Sequence, residues 1–96
     1  MATVVRGTLS QPVRIEVIQR LNRIEGQIRG LRGMAEGDRY CPELLTQVAS
    51  VHEALRGVAR VILRHYLETC ATKAIRSAHP DGIYDELMDV FYRFAR

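Results

Sequence analysis

Apolar residues recur along this chain at spacings of three and four and nowhere alternate, so the pattern predicts helices and no strands. Over 11–36, Val13, Val17, Leu21, Ile24, Ile28, Leu31 and Ala35 fall on one narrow face, the width of a seam used in helix-on-helix packing. Ser10 stands where an N-cap is expected, and Pro12 lies in the first turn. Gly26, Gly30 and Gly33 either admit another backbone closely or are a plain cost of about 1 kcal/mol each. Gly37-Asp38-Arg39-Tyr40 breaks the pattern. Pro42 then opens a second helix with no breaker before His79-Pro80-Asp81-Gly82, which predicts one rod over 42–78 of roughly 55 Å. It carries two apolar stripes: Leu44, Val48, Val51, Leu55, Val58 and Ile62, and Leu45, Ala49, Ala59, Leu63 and Leu67. That is more apolar surface than one short partner helix covers. A third helix is predicted over 83–95, burying Ile83, Leu87, Val90, Phe91 and Phe94. Residues 1–10 read as a flexible N-terminal arm.

Composition narrows the reading. A chain of 96 residues is one small domain with a modest core, and oligomerisation is a common way to bury more. The net charge is +3, and thirteen of the fourteen cations are arginine, the better ligand for phosphate and carboxylate. No apolar run approaches a membrane span of about eighteen residues. The opening Met-Ala-Thr-Val-Val-Arg-Gly has no signal-peptide pattern, so the expected location is the cytoplasm, away from membranes. No Gly-rich phosphate loop, nucleophile elbow or paired-histidine metal motif is present, which argues against an enzyme.

The two cysteines, Cys41 and Cys70, stand at opposite ends of the predicted rod. In a reducing compartment such a pair points to metal binding or redox chemistry rather than a structural staple. On a straight rod they lie roughly 44 Å apart and cannot meet within one chain. They can meet between chains if two such helices pack antiparallel about a two-fold axis. Pairing 41 with 70 puts that axis beside Leu55 and Arg56, with Gly57 at the crossing. The plainer alternative is that both are small buried hydrophobes. Against it, Cys41 begins a helix, where the positive dipole end favours thiolate.

Arg20-Leu-Asn-Arg-Ile-Glu-Gly-Gln-Ile-Arg-Gly30, Asp38-Arg-Tyr-Cys41 and Leu67-Glu-Thr-Cys70 resemble the copper-sensing operon repressor family, which also contains nickel/cobalt, formaldehyde and persulfide sensors. The likeness runs from about residue 14 to 94. It implies an all-α, three-helix protomer, an antiparallel four-helix-bundle dimer and a dimer of dimers. It also implies repression of transcription through operator DNA bound on basic faces, with modification of the intersubunit thiol site weakening that binding.

The resemblance places the two cysteines of the copper sensors' Cys–His–Cys site at Cys41 and Cys70, but its histidine falls on Tyr66. His65 is one residue away, about 100° round an α-helix, and is the alternative metal ligand only if the site rearranges. A neutral phenol is a poor ligand for Cu(I), which prefers thiolate. Persulfide sensors of the family likewise keep both cysteines and lack the histidine. Yet Tyr40 and Glu86 match a tyrosine and a glutamate that surround the copper site. The first reading is therefore a repressor released by persulfide at a Cys41–Cys70′ dithiol, needing no cofactor. The alternative is release by Cu(I) bound through the same thiols. A helical scaffold that binds no DNA is the rival of another class. Tyr66 is expected to bring its hydroxyl near the thiols, and a Tyr40–Glu86 hydrogen bond to carry the change to the third helix. The candidate phosphate contacts are Arg14, Arg20, Arg23, Arg29 and Arg32 on the first helix and Arg56, Arg60 and Lys73 on the second, the plainer reading being a solvated face partly paired with Glu16, Glu25 and Glu53.

Overall fold

The structure, a computed structural model, describes residues 8–94. Those residues form helices and no strands: α1 Gln11–Glu36, α2 Cys41–Tyr66, a π-helical segment Leu67–Ala71, α3 Thr72–Ile75 and α4 Asp81–Phe94. Residues 1–7 of the predicted arm and Ala95 of the predicted third helix lie outside the described range. The described residues divide into two compact units, one of Leu9–Ile62 and one of 63–94 with Thr8.

The first unit is a helical pair. The backbone of Ser10 is extended and its carbonyl accepts from Arg14 N at 2.8 Å, while its side chain makes no capping hydrogen bond. Pro12 sits in the first turn, where its missing N–H costs nothing. Cys41 opens α2, and the Tyr40 carbonyl accepts from Glu43 N and Leu44 N at 2.9 and 3.3 Å. Val17 and Ile24 of α1 pack with Val51 and Val58 of α2, flanked by Leu9, Val13, Ala54 and Val61. The inward face of α2 thus takes Val51 and Val58 out of the first predicted stripe. Val48, Leu55 and Ile62 of that stripe stay exposed, together with Leu45. A helix face is fixed by angle, and Val51, Ala54, Val58 and Val61, spaced by three and four, fall along one line. On α1 the buried positions reduce to Val17 and Ile24, with Leu21 and Ile28 exposed at 40% and 49%.

The second unit corrects the predicted rod. Its α-helical hydrogen bonding gives way at Leu67 to a wider π-helical segment and stops at Ile75, three residues short of the expected end. A wide turn strands carbonyls that regular α-helical bonding would satisfy, and threonines take them up. Thr72 Oγ1 donates to the Leu67 carbonyl and Thr69 Oγ1 to the His65 carbonyl, both at 2.7 Å. Ser77 closes the run, its Oγ donating to the Ala74 carbonyl at 2.6 Å. Pro80 accepts from Ile83 N and Tyr84 N at 3.1 and 3.3 Å, so the last helix starts at Asp81, two residues earlier than predicted. Ala71 and Ile83 are the buried apolar residues of this unit.

Candidate functional site

Cys41 is exposed as the first residue of α2, and Cys70 is half-buried within the π-helical segment. His65 and Tyr66 close α2 and keep their α-helical separation; the π turn follows them and alters only their offset from Cys70, because it does not repeat at the α-helical angle. Hydrogen-bond partners then decide what each side chain offers. His65 is buried, and its Nε2 lies 3.3 Å from the Thr8 carbonyl. A carbonyl only accepts, so Nε2 carries the proton in this contact and is not available there as a ligand.

The Tyr66 hydroxyl donates to the Glu86 carboxylate of α4. Within the chain the hydroxyl on Glu86 is that of Tyr66, and Tyr40 is 71% exposed. Burial, that hydrogen bond, the Glu86 charge and then the Cys70 thiolate push Tyr66 up to about 12. The phenol therefore keeps its proton at neutral pH and acts beside Cys70 as a neutral donor rather than a phenolate ligand. Thr69 Oγ1 lies 3.5 Å from Cys70 Sγ, a neighbour that sequence reasoning missed. Its one signal in the sequence is a pair of threonines, Thr69 and Thr72, on either side of Cys70-Ala71 in a helical run. Among the described residues no group of three or more His, Cys, Asp or Glu side chains forms a ready metal cage within the chain.

The basic candidates are all exposed. Arg20 pairs with Glu16 at 3.2 Å, and Arg14 Nη2 donates to the Leu9 carbonyl at 3.1 Å. The other ion pairs among the described residues are Arg39–Glu43 and Arg64–Glu68. Arg23, Arg29, Arg32, Arg56, Arg60 and Lys73 therefore have no carboxylate within pairing distance among the described residues, and Glu25 and Glu53 neutralise none of them. His52 and His79 are exposed. No helix of the described residues is long and apolar enough to cross a membrane.

Comparison with known proteins gives this arrangement a context. The family model described as metal-sensitive transcriptional repressor matches residues 14–93. The chain is 40% identical over 81 residues to the copper-sensing transcriptional repressor CsoR of Bacillus subtilis, covering 84% of this chain and 80% of that protein. It is 41% identical over 80 residues to the copper-sensing transcriptional repressor RicR of Mycobacterium tuberculosis, covering 81% and 83%. The crystal structure of the copper-sensing repressor CsoR with Cu(I) from Geobacillus thermodenitrificans is similar at a TM-score of 0.83 and 38% identity, covering 97% of this chain and 100% of that one. These relatives are repressors and not enzymes, and the scaffold reading gives way with them. The chain belongs to the family of metal-sensitive transcriptional repressors that contains the copper-sensing operon repressors.

Proposed function

We propose that this repressor is Cu(I)-responsive: it holds operator DNA through arginines of α1 and α2, and Cys41 of one protomer with Cys70 of its partner is the sensing pair. One observation puts copper ahead of persulfide: the relatives that match most of the chain at 40% and 41% identity are copper sensors. The donor set fits. Thiolates are the ligands Cu(I) prefers, and no third donor is required of Tyr66, whose proton is engaged by Glu86. Cys41 of one protomer and Cys70 of its partner would hold Cu(I), which would supply a link between the two protomers. The chain's own residues do the rest. Cys41, exposed as the first residue of α2, is accessible to an incoming ion. The Tyr66–Glu86 hydrogen bond ties the turn before Cys70 to α4, which gives a displacement at Cys70 a route into that helix. A coupling of about 3 kcal/mol changes operator affinity more than a hundredfold.

Leu45, Val48, Leu55 and Ile62 remain 67%, 49%, 43% and 38% exposed along α2, which supports a second copy packed antiparallel on that face. A dimer of dimers rests on the resemblance alone. Operator binding places the work in the cytoplasm.

A second reading keeps persulfide as the inducer, favoured by Tyr66 standing where the copper sensors' histidine is expected. One thiolate takes the terminal sulfur of a persulfide donor and releases the donor as a thiol. The other thiolate attacks the inner sulfur, the Sγ of the persulfidated cysteine, forming a disulfide across the dimer while the bond to the transferred sulfur breaks and that sulfur leaves as hydrosulfide. One experiment separates the two. Reduced protein on operator DNA is treated with Cu(I) or with a persulfide donor, reading DNA release and intact mass together. Release at one Cu(I) per protomer, with no covalent change, is the expected result. Release only by the donor, with a cross-linked dimer, establishes the sulfur reading instead. In both cases affinity falls steeply with salt, as counterion release requires.

A further inference from the structure

The Arg20 guanidinium is paired on α1 and also lies against α2. Its Nε and Nη2 donate to Glu16 Oε2 at 3.3 and 3.2 Å, one turn earlier on α1. Its Nη1 reaches α2 at Gly57, where an added Cβ would stand 3.2 Å from it. That is tighter than most Cβ contacts, so a side chain at residue 57 would make the guanidinium shift from its place by a few tenths of an ångström. Gly57 lies deep inside α2 with helical backbone, where after proline glycine is the costliest residue. Nothing in its backbone conformation asks for glycine. Its use is therefore in the space it leaves.

The neighbours of that space are cationic. Arg56 precedes Gly57 and Arg60 follows one turn later, four residues apart and so on one side of the helix. Arg23 follows Arg20 by one turn on α1. Arg23, Arg56 and Arg60 are exposed and have no carboxylate within 4 Å among the described residues. The exposed Glu16 pair contributes little binding energy and serves to orient the guanidinium plane.

We propose that Gly57 is a positioning residue for operator binding: the gap at its Cα seats the Arg20 guanidinium against α2 and joins the arginines of α1 and α2 into one phosphate-binding edge. This rests on the reading of the chain as a repressor that grips DNA phosphates with arginine, and it names what arranges them.

The test uses the full reduced chain and a duplex selected from a random pool by the unaltered protein. Operator affinity is measured across salt for the unaltered protein, Gly57→Leu, Gly57→Ala, Arg20→Ala and Gly57→Leu with Arg20→Ala, alongside melting temperature and mass in solution. Gly57→Leu fills the seat. It is expected to weaken binding about tenfold and to lower the salt slope by about one phosphate contact, with melting temperature unchanged or raised. It should add nothing to Arg20→Ala, since the seat has no value once its occupant is gone. Gly57→Ala shifts the guanidinium less and should weaken binding about twofold, and it decides the matter if the leucine variant does not fold. Unchanged affinity and slope in both glycine variants overturn the proposal. So does an equal loss on both Arg20 backgrounds, or a changed mass in solution, which would make Gly57 a contact between copies. Salt-independent binding by the unaltered protein would instead overturn the phosphate-contact reading, and the role of Gly57 with it.

Discussion

The hydroxyl of Tyr66, the last residue of α2, donates to the Glu86 carboxylate of α4, four residues before the Cys70 thiol. One hydrogen bond thus connects the end of α2, next to the π-helical turn that carries Cys70, to α4. A bond to a carboxylate is worth about 1.5–3 kcal/mol at most, and partial solvent access brings this one to the lower end.

If that bond carries the signal, Tyr66→Phe should separate two properties. Operator affinity without inducer stays within about twofold, and the loss of affinity on adding Cu(I) shrinks at least fivefold, corresponding to about 1 kcal/mol of coupling. Glu86→Gln, which keeps an acceptor oxygen, lies between the parent and Tyr66→Phe. An affinity change of the same size with and without Cu(I) would make the pair structural only.

Titration of Tyr66 has a direction fixed by its surroundings. Its pKa is raised from 10.0 to about 12 by burial first and then by Glu86, so the folded state holds the phenol proton more tightly than the unfolded chain does. Below pH 10 both states are protonated and the stabilisation is complete. Between pH 10 and about 12 the unfolded chain alone gives up the proton, and stability falls. Denaturant midpoints measured across this range should drop less steeply in Tyr66→Phe than in the parent.

Thiol substitutions test the sensing pair. Cys41→Ser and Cys70→Ser should each bind operator as the parent does and lose Cu(I)-driven release. Tyr66→His supplies an imidazole at the position the copper sensors' histidine occupies by resemblance. It should tighten Cu(I) binding tenfold or more in a chelator competition, because imidazole is a ligand for copper and a neutral phenol is not. Unchanged affinity would mean that residue 66 does not face the bound ion.

The core of the helical pair is thin, so single truncations in it are costly. Ile24 is 4% exposed and packs with Val17, Val51 and Val58. Ile24→Ala should destabilise by about 2–4 kcal/mol, read as a lowered denaturant midpoint. Ile28→Ala, at a position 49% exposed within the chain, should cost less than about 1 kcal/mol unless a partner copy covers it. A large loss at Ile28 that varies with protein concentration would show that a partner does.

The sequence by itself determined the helical class, the bounds of α1 at Gln11 and Glu36, the break before Cys41 and the family. These follow from local physics: a 3.6-residue period, proline in a first turn, glycine and aspartate in a break, and motifs read in register. Tertiary structure alone decided the rest. The two apolar stripes of α2 are close enough in angle that only packing against Val17 and Ile24 selects Val51 and Val58 for the inside and leaves Leu55 outside. The π-helical turn at Cys70 has no periodic signature, because five residues of wide turn do not alter an apolar repeat. That Tyr66 donates to Glu86 is likewise not legible in the sequence, since a hydrogen bond twenty residues apart depends on which groups the fold brings within reach. Gly57 reads in the sequence as a point of close approach at a crossing between copies, and only the tertiary structure brings the Arg20 guanidinium of another helix beside it.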